Sequence, residues 1–315
     1  MKVALYLSLL LYGIHSLPIG YTTKYEEQVE LINKYIDQVF EMKKHLLRAA
    51  VTNQEREDII SDLEDNHALI TIDFAQKYLP RWHREKQSDY FGKKGFSWHV
   101  SHVAARIGDN YTQHSFIHIY DTEVQQNSEL VILTLSHVVT ELKKVGITTI
   151  SIRSDNAGAY HCASTISSLH YLQNEFGITV KSYSFSEAQN GKSSSDRDAA
   201  RVKQKASRYV AMNNDITTSA DFFKAVTSGQ QLNGVSIYHG SVTKDFDGSA
   251  KWEGISDLNY FTVEKDGIRG RKYFGIGEGK FKPSVDLVSL NGTYEFVEAG
   301  YVASGIESIE SERQA

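Results

Sequence analysis

Apolar residues recur every three to four positions between residues 25 and 64. Val29, Ile32, Tyr35, Ile36, Val39 and Phe40 share one helical stripe, with neither proline nor glycine interrupting the segment. The spacing predicts one long helix or two abutting helices. At residue 67 the period changes. HALITIDFAQKYL (67–79) is a strand-like apolar run with Asp73 in its middle, followed by the polar, basic connection RWHREKQSDYFGKKG. SWHVSHVAARI (97–107) and SFIHIYDT (115–122) read as two more strands, with the turn residues GDNYT between them. SELVILTLSHVVTELKKVG (128–146) has helical spacing and ends on glycine, a common helix stop. A strand GITTISIRSD, a helix ASTISSLHYLQNEFG (163–177), a strand ITVKSYSF (178–185), a loop SEAQNGKSS and a helix SDRDAARVKQKASRYVAMN (195–213) complete the alternation.

The predicted order is β-β-β-α-β-α-β-α. Three strands in succession followed by alternating helices imply an α/β fold: a mixed five-stranded sheet with helices on both faces. From about residue 230 the pattern becomes short and glycine-rich (GVSIYHG, LNYFTVEKDG, IRGRKYFGIGEGK, TYEFVEAGYV), which suggests a small antiparallel module. The expected organisation is an apolar segment 1–20, a helical segment 21–66, an α/β domain 67–228, a β-rich module 229–303 and an acidic, disordered tail 304–315.

MKVALYLSLLLYGIHS has one basic residue before an apolar run, in the manner of a signal peptide, and is too short to span a membrane. With the α/β domain in view, the expectation is a mispredicted or truncated start and a nuclear protein, with secretion as the alternative. Cys162 is the single cysteine, so an intramolecular disulfide framework and a multi-thiolate zinc site are both excluded. The net charge of −5 conceals an asymmetry. Residues 70–215 hold 17 Lys and Arg against 14 Asp and Glu, +3, which leaves −8 on the remainder. A mildly basic middle is compatible with a phosphate-bearing partner.

Asp73 is hard to explain structurally, because aspartate is depleted in strand interiors and an unpaired buried carboxylate is unfavourable. Asp155, in IRSDNAGAYH, taken alone is a turn residue, as Asp, Asn and Gly commonly are. Asp196 lies in the first turn of its helix, where an acid complements the dipole and Ser194 or Ser195 can cap.

The element order, with Asp73 on the first strand, Asp155 at the end of the fourth and Asp196 at the helix after the fifth, resembles the ribonuclease H-like fold of retroviral integrases and cut-and-paste transposases. The loop Gln189-Asn190-Gly191-Lys192 is similar to the NG loop before the third acid of integrases. The strings REKQSDYFGKKGFSWHVS, RSDNAGAYH and GKSSSDRDAARVK resemble transposase-derived proteins of animal genomes, and the likeness covers roughly residues 25–280. It implies a Mg²⁺- or Mn²⁺-dependent phosphodiester-cleaving or strand-transferring enzyme acting on DNA, with Asp73, Asp155 and Asp196 as catalytic residues and metal ligands. Hard carboxylate oxygens suit such ions, and two ions can activate the attacking oxygen and stabilise the leaving one.

Around this core, Glu187 and Asp198 are substitutes for the third acid, and His161 is an accessory residue for a water or phosphate. Arg81, Arg84, Lys93, Lys94, Lys192 and Arg197 are candidates for tracking a nucleic-acid backbone. Each has a bland counterpart: a histidine at a helix start is usually packed or solvated, and a charge run between strands is usually a solvated loop. A homo-oligomer is compatible with the sequence, and no membrane association is expected. The alternative function is a domesticated, non-catalytic binding scaffold, favoured by the absence of a recognisable DNA-reading motif and by the acidic net charge.

Overall fold

The structure is a computed structural model and describes residues 22–121, 124–186, 194–243, 250–284 and 293–298. The apolar stripe at the start forms one helix, α1 (Thr22–Ser61), rather than two. Contacts divide the chain into two compact units, residues 1–51 and 52–315. Within the first, α1 leaves Tyr35, Val39, Met42, Leu46 and Leu47 exposed. The second holds the end of α1 and every other element.

These elements are β1 (His67–Phe74), a single-turn α2 (Gln87–Tyr90), β2 (Trp98–Ile107), β3 (Asn110–Tyr120), α3 (Ser128–Lys144), β4 (Thr149–Ser154), α4 (Ala163–Phe176), β5 (Thr179–Phe185), α5 (Ser194–Ala211) and α6 (Ser219–Thr227). There follow β6 (Val235–Thr243), β7 (Tyr260–Glu264), β8 (Gly267–Arg271), β9 (Lys280–Pro283) and β10 (Thr293–Glu298). The hairpin between β2 and β3 is tighter than the sequence suggested. β3 begins at Asn110, because Gly108 takes φ +59° and lets the chain reverse within two residues.

The α/β mixed architecture is as expected, but the sheet has ten strands, not five. Its order is β10-β6-β3-β2-β1-β4-β5-β7-β8-β9. The five expected strands are its centre: β1 pairs antiparallel with β2 and parallel with β4, β2 antiparallel with β3, and β4 parallel with β5. Strands from the segment after residue 229 extend both edges. β6 adds parallel to β3, and β7 adds antiparallel to β5. Short glycine-rich strands cannot bury a face alone, and an existing sheet edge supplies the hydrogen-bonding partners that they lack.

Helices cover both faces. Ala68, Ile70 and Ile72 of β1 join Val131, Leu135 and Val138 of α3 and Ile166, Leu169 and Leu172 of α4 in one core. On the other face Val100, Ile117 and Ile237 pack with Val202 and Ala206 of α5 and with Phe222 and Val226 of α6. Helix α6 escaped the sequence reading because it has nine residues. Its signature was nonetheless present: Thr218 and Asp221 cap each other reciprocally at its start. Phe222 then buries its ring against Tyr78, Phe96 and Trp98, with centroids 4.2, 5.3 and 5.6 Å away. Among the described residues no helix is long and apolar enough to cross a membrane.

The core also holds histidines that the sequence did not single out. His99 on β2 stands between Phe74 and His118 in the register, and His118 Nε2 lies 2.9 Å from His137 Nδ1 of α3. A contact between two ring nitrogens needs one donor and one acceptor, which neutral rings supply. Burial lowers the pKa of His67, His114 and His137 to about 4 and that of His99 to about 3, and pulls His118 well below the ordinary value.

The folded state thus resists protons that the unfolded chain accepts below about pH 6.5. Stability is complete above that pH and is lost as pH falls toward 4, by up to about 1.4 kcal/mol per histidine per pH unit. The raised carboxylates of Asp73 and Glu55 work in the opposite sense and are outnumbered. The melting temperature should therefore fall steeply between pH 6.5 and 4.5. A melting temperature that stays flat across that range would show that these rings are protonated without penalty.

Candidate active site

The register of the sheet brings the first two acids together. Ile72 of β1 pairs with Ser154 of β4, so the next residues along two parallel strands are Asp73 and Asp155. Neighbours in register share a face, and this is the face covered by α5. Asp73 is half-buried and Asp155 exposed. The bland reading of Asp155 also holds, since its Oδ1 accepts a hydrogen bond from the Ala157 N–H at 3.1 Å and forms the turn that leaves β4. The turn fixes the carboxylate at the strand's mouth.

The third acid is held by its neighbours. Ser195 Oγ donates to the Thr71 carbonyl at 3.2 Å, tying the start of α5 to β1 two residues before Asp73. Asp198, one turn further, is 2 % exposed. It accepts from Ser115 Oγ at 2.6 Å and Arg201 at 3.1 Å, and meets His102 Nδ1 at 3.1 Å. Between the two anchors Asp196 remains exposed in the first helical turn.

Thr71, His102 and Ser115 belong to one row across the sheet, which Arg153 of β4 continues. Arg153 donates to the Thr52 carbonyl of α1 at 2.8 Å and stands 3.9 Å from Glu55, and all three residues are buried. The last turns of α1 and the first turns of α5 are both fastened to this polar row, one pleat below Asp73.

The electrostatics follow. Burial, then the charge of Asp155, then that of Asp196 raise the pKa of Asp73 to about 7. Asp73 thus senses both other acids. Among the described residues, however, no group of three or more His, Cys, Asp or Glu side chains is gathered closely enough to hold a metal ion. Asp73 feels the other two carboxylates without the three forming a closed ligand cage. Beneath them lies Tyr160, which the sequence reading missed. Its ring sits 5.5 Å from Phe74, and its buried hydroxyl has no hydrogen-bond partner among the described residues. Burial, then Asp73, push that phenol well above its ordinary pKa. The only sequence signal was its place in NAGAYH beside Asp155.

The remaining sequence candidates separate. Asp198 is an anchor rather than a substitute acid. Its own burial raises its pKa, but hydrogen bonds from His102, Ser115 and Arg201 outweigh that and hold it at about 2. His161 is absorbed by packing: its Nε2 lies 3.1 and 2.8 Å from the carbonyls of Ile255 and Leu258, and its ring packs on Phe185. Lys93 is engaged inside its own loop, with the Pro80 carbonyl at 2.8 Å, Glu85 beside it and the Trp82 ring at 5.0 Å. Arg81 donates to Ser207 at 3.1 Å and braces the connection against α5. Arg84, Lys94 and Arg197 are exposed. Glu187 and Lys192, with the Asn190-Gly191 pair, lie outside the described residues.

A family model described as "Domain of unknown function (DUF8701)" matches residues 53–248, more than half of the chain and a span that includes all three acids. No curated protein matches the chain.

The two acids of α5 should behave oppositely in denaturation. Asp198→Ala removes the carboxylate that Ser115 and Arg201 donate to, leaves buried His102 and Ser115 only each other at 2.9 Å, and should cost about 2–4 kcal/mol. Asp196→Ala, at an exposed position in the first turn, should cost less, under about 1 kcal/mol. Urea titrations measure both, and equal losses would sink the assignment of Asp198 as the anchor.

Proposed function

The chain belongs to the DUF8701 family, and we propose that it is a metal-dependent phosphodiester-cleaving or strand-transferring domain of ribonuclease H-like type, similar to transposases and acting on DNA. The observation that carries the reading is the meeting of Asp73 and Asp155 at adjacent strand ends, with Asp196 close enough to add to the raised pKa of Asp73. A fold that keeps a repelled, half-buried carboxylate at the end of a central strand has use for it as a reactive group.

The donor chemistry fits Mg²⁺ or Mn²⁺, which take hard oxygen ligands and keep part of their water. Asp73, Asp155 and Asp196 would hold the ions. Bound there, such ions supply activation of the attacking oxygen and stabilisation of the leaving one. Asp73 holds a proton through part of the neutral range and must release it to act as a ligand. Ser195 and Asp198 keep the start of α5 in place, so Asp196 reaches the other two acids from a fixed helix end. Arg84, Lys94 and Arg197 are the exposed cations of the original set that remain available to backbone phosphates.

A non-catalytic scaffold is the second reading, and one observation favours it: the carboxylates are not already gathered into a cage. The two readings part on metal and on cleavage. In the first, Mn²⁺ or Mg²⁺ raises the melting temperature through binding to the native state, more at pH 8 than at pH 6 because Asp73 must lose its proton. Asp155→Asn abolishes most of that rise. Asp73→Asn stabilises the metal-free protein above pH 7, by on the order of 1 kcal/mol or more, since it removes a charge the fold repels. Nicking of supercoiled DNA in the same metals should be present in the wild type and lost in Asp73→Asn, Asp155→Asn and Asp196→Ala. Metal-independent melting with no nicking would leave the scaffold standing.

A further inference from the structure

On the outer side of α5, away from the acids, lies a cavity of about 500 Å³ between the second half of that helix, the end of α6 and the loop 228–232. Three cationic side chains line it: Arg201, Lys205 and Arg208, at successive helical turns. No acidic side chain does. Two of the cations shape the rim, because Arg201 donates to the Asn233 carbonyl at 3.1 Å and Lys205 to the Gln230 carbonyl at 2.7 Å. Carbonyls orient these groups without neutralising them. Among the described residues only Arg201 of the three has a carboxylate beside it, Asp198, and that one is buried behind it against the sheet. Burial pulls the Lys205 ammonium below its ordinary pKa, as expected for a partly desolvated cation lacking an anion. Tyr209, half-buried, and Met212, 74 % exposed, form the apolar part of the wall.

The volume is that of a small-molecule site. Three like charges held in one concavity repel each other, and the arrangement is relieved by an anion carrying more than one negative charge. Planar guanidinium groups suit the oxygens of a phosphate, while a phenol ring and a thioether offer a flat, polarizable surface for an aromatic ring. We propose that this cavity binds a nucleotide, with its phosphates at Lys205 and Arg208 beside Arg201 and its base against Tyr209 and Met212. The inference stands on the cavity alone and does not rest on the carboxylate site.

The test is calorimetric titration of the full chain with ATP, sodium triphosphate and adenosine, in EDTA so that no metal can bridge the ligand to the acids. ATP should bind saturably, triphosphate more weakly and adenosine not detectably. Arg208→Glu, an exposed change that spares the fold, should weaken ATP by about tenfold or more, and Lys205→Met similarly. Asp73→Asn should leave ATP binding unchanged, which separates this site from the proposed catalytic one. Failure of ATP to saturate at millimolar concentration, or equal binding by Arg208→Glu, would overturn the proposal. So would adenosine binding as tightly as ATP, and triphosphate matching ATP would remove the base from it. If Lys205→Met does not fold, the Arg208→Glu comparison decides.

Discussion

The second unit is organised around one cross-strand row of polar side chains. Arg153, Thr71, His102 and Ser115 stand side by side on four central strands because β1 pairs with β4 and β2 in fixed register. Apolar neighbours fill most of the sheet, so each of these groups must find a partner from above. The partners come from two helices: Arg153 meets the Thr52 carbonyl and Glu55 of α1, His102 and Ser115 meet Asp198 of α5, and Ser195 of α5 donates to the Thr71 backbone carbonyl. A one-residue slip of β1 would turn Thr71 out of the row and Asp73 to the opposite face, away from Asp155. The row therefore sets both where the helices sit and where the next residues up the sheet, Asp73 and Asp155, emerge.

The central alternation was legible in the sequence because its signals are local. Strand-like runs bounded by turn residues marked β2, β4 and β5, helical segments closed by glycine marked α3 and α4, and residues 195–213 read as the helix that became α5. The edge strands gave no comparable warning. β7, β8 and β9 are four to five residues long, and what decides their place is the free edge of β5, a partner remote in sequence. Local pattern shows that such segments are extended; it cannot show what they pair with. The same limit hid the role of the histidines. His99 and His118 sit in runs that read as strand, and only the neighbouring strands and α3 make them a buried, neutral group.

Among the candidate acids the sequence could not separate Asp196 from Asp198. Two residues along a helix is a rotation of about 200°, so the pair faces opposite ways whatever the surroundings. The flanking pattern holds the answer in principle: Asp198 falls in step with Ala199, Val202 and Ala206, all buried, and so belongs to the inner face. What could not be read locally is that the inner face would meet His102 and Ser115, which make a buried carboxylate tolerable. For the basic residues the confusion ran the other way. Lys93 looked free in a charged loop, yet its ammonium is spent on the loop's own Pro80, Glu85 and Trp82.

The arrangement has a consequence for what a bound cation could do. In a structural metal site the unfolded chain gains its fold from the ion, and the ligands lie where nothing else holds the backbone. Here the backbone beneath Asp73, Asp155 and Asp196 is already fixed by the polar row, the Asp155 turn and the Ser195 and Asp198 anchors. What remains unrelieved is charge alone, concentrated on Asp73 by burial and by two acids it cannot escape. The strain is therefore local and electrostatic, in a frame whose stability comes from elsewhere. A cation entering that frame would relieve repulsion without building structure, and would leave when a competing charge replaced it. On the proposed reading such a cation would serve catalysis rather than act as a structural staple, and that follows because the row that orders the helices lies one pleat away from the acids themselves.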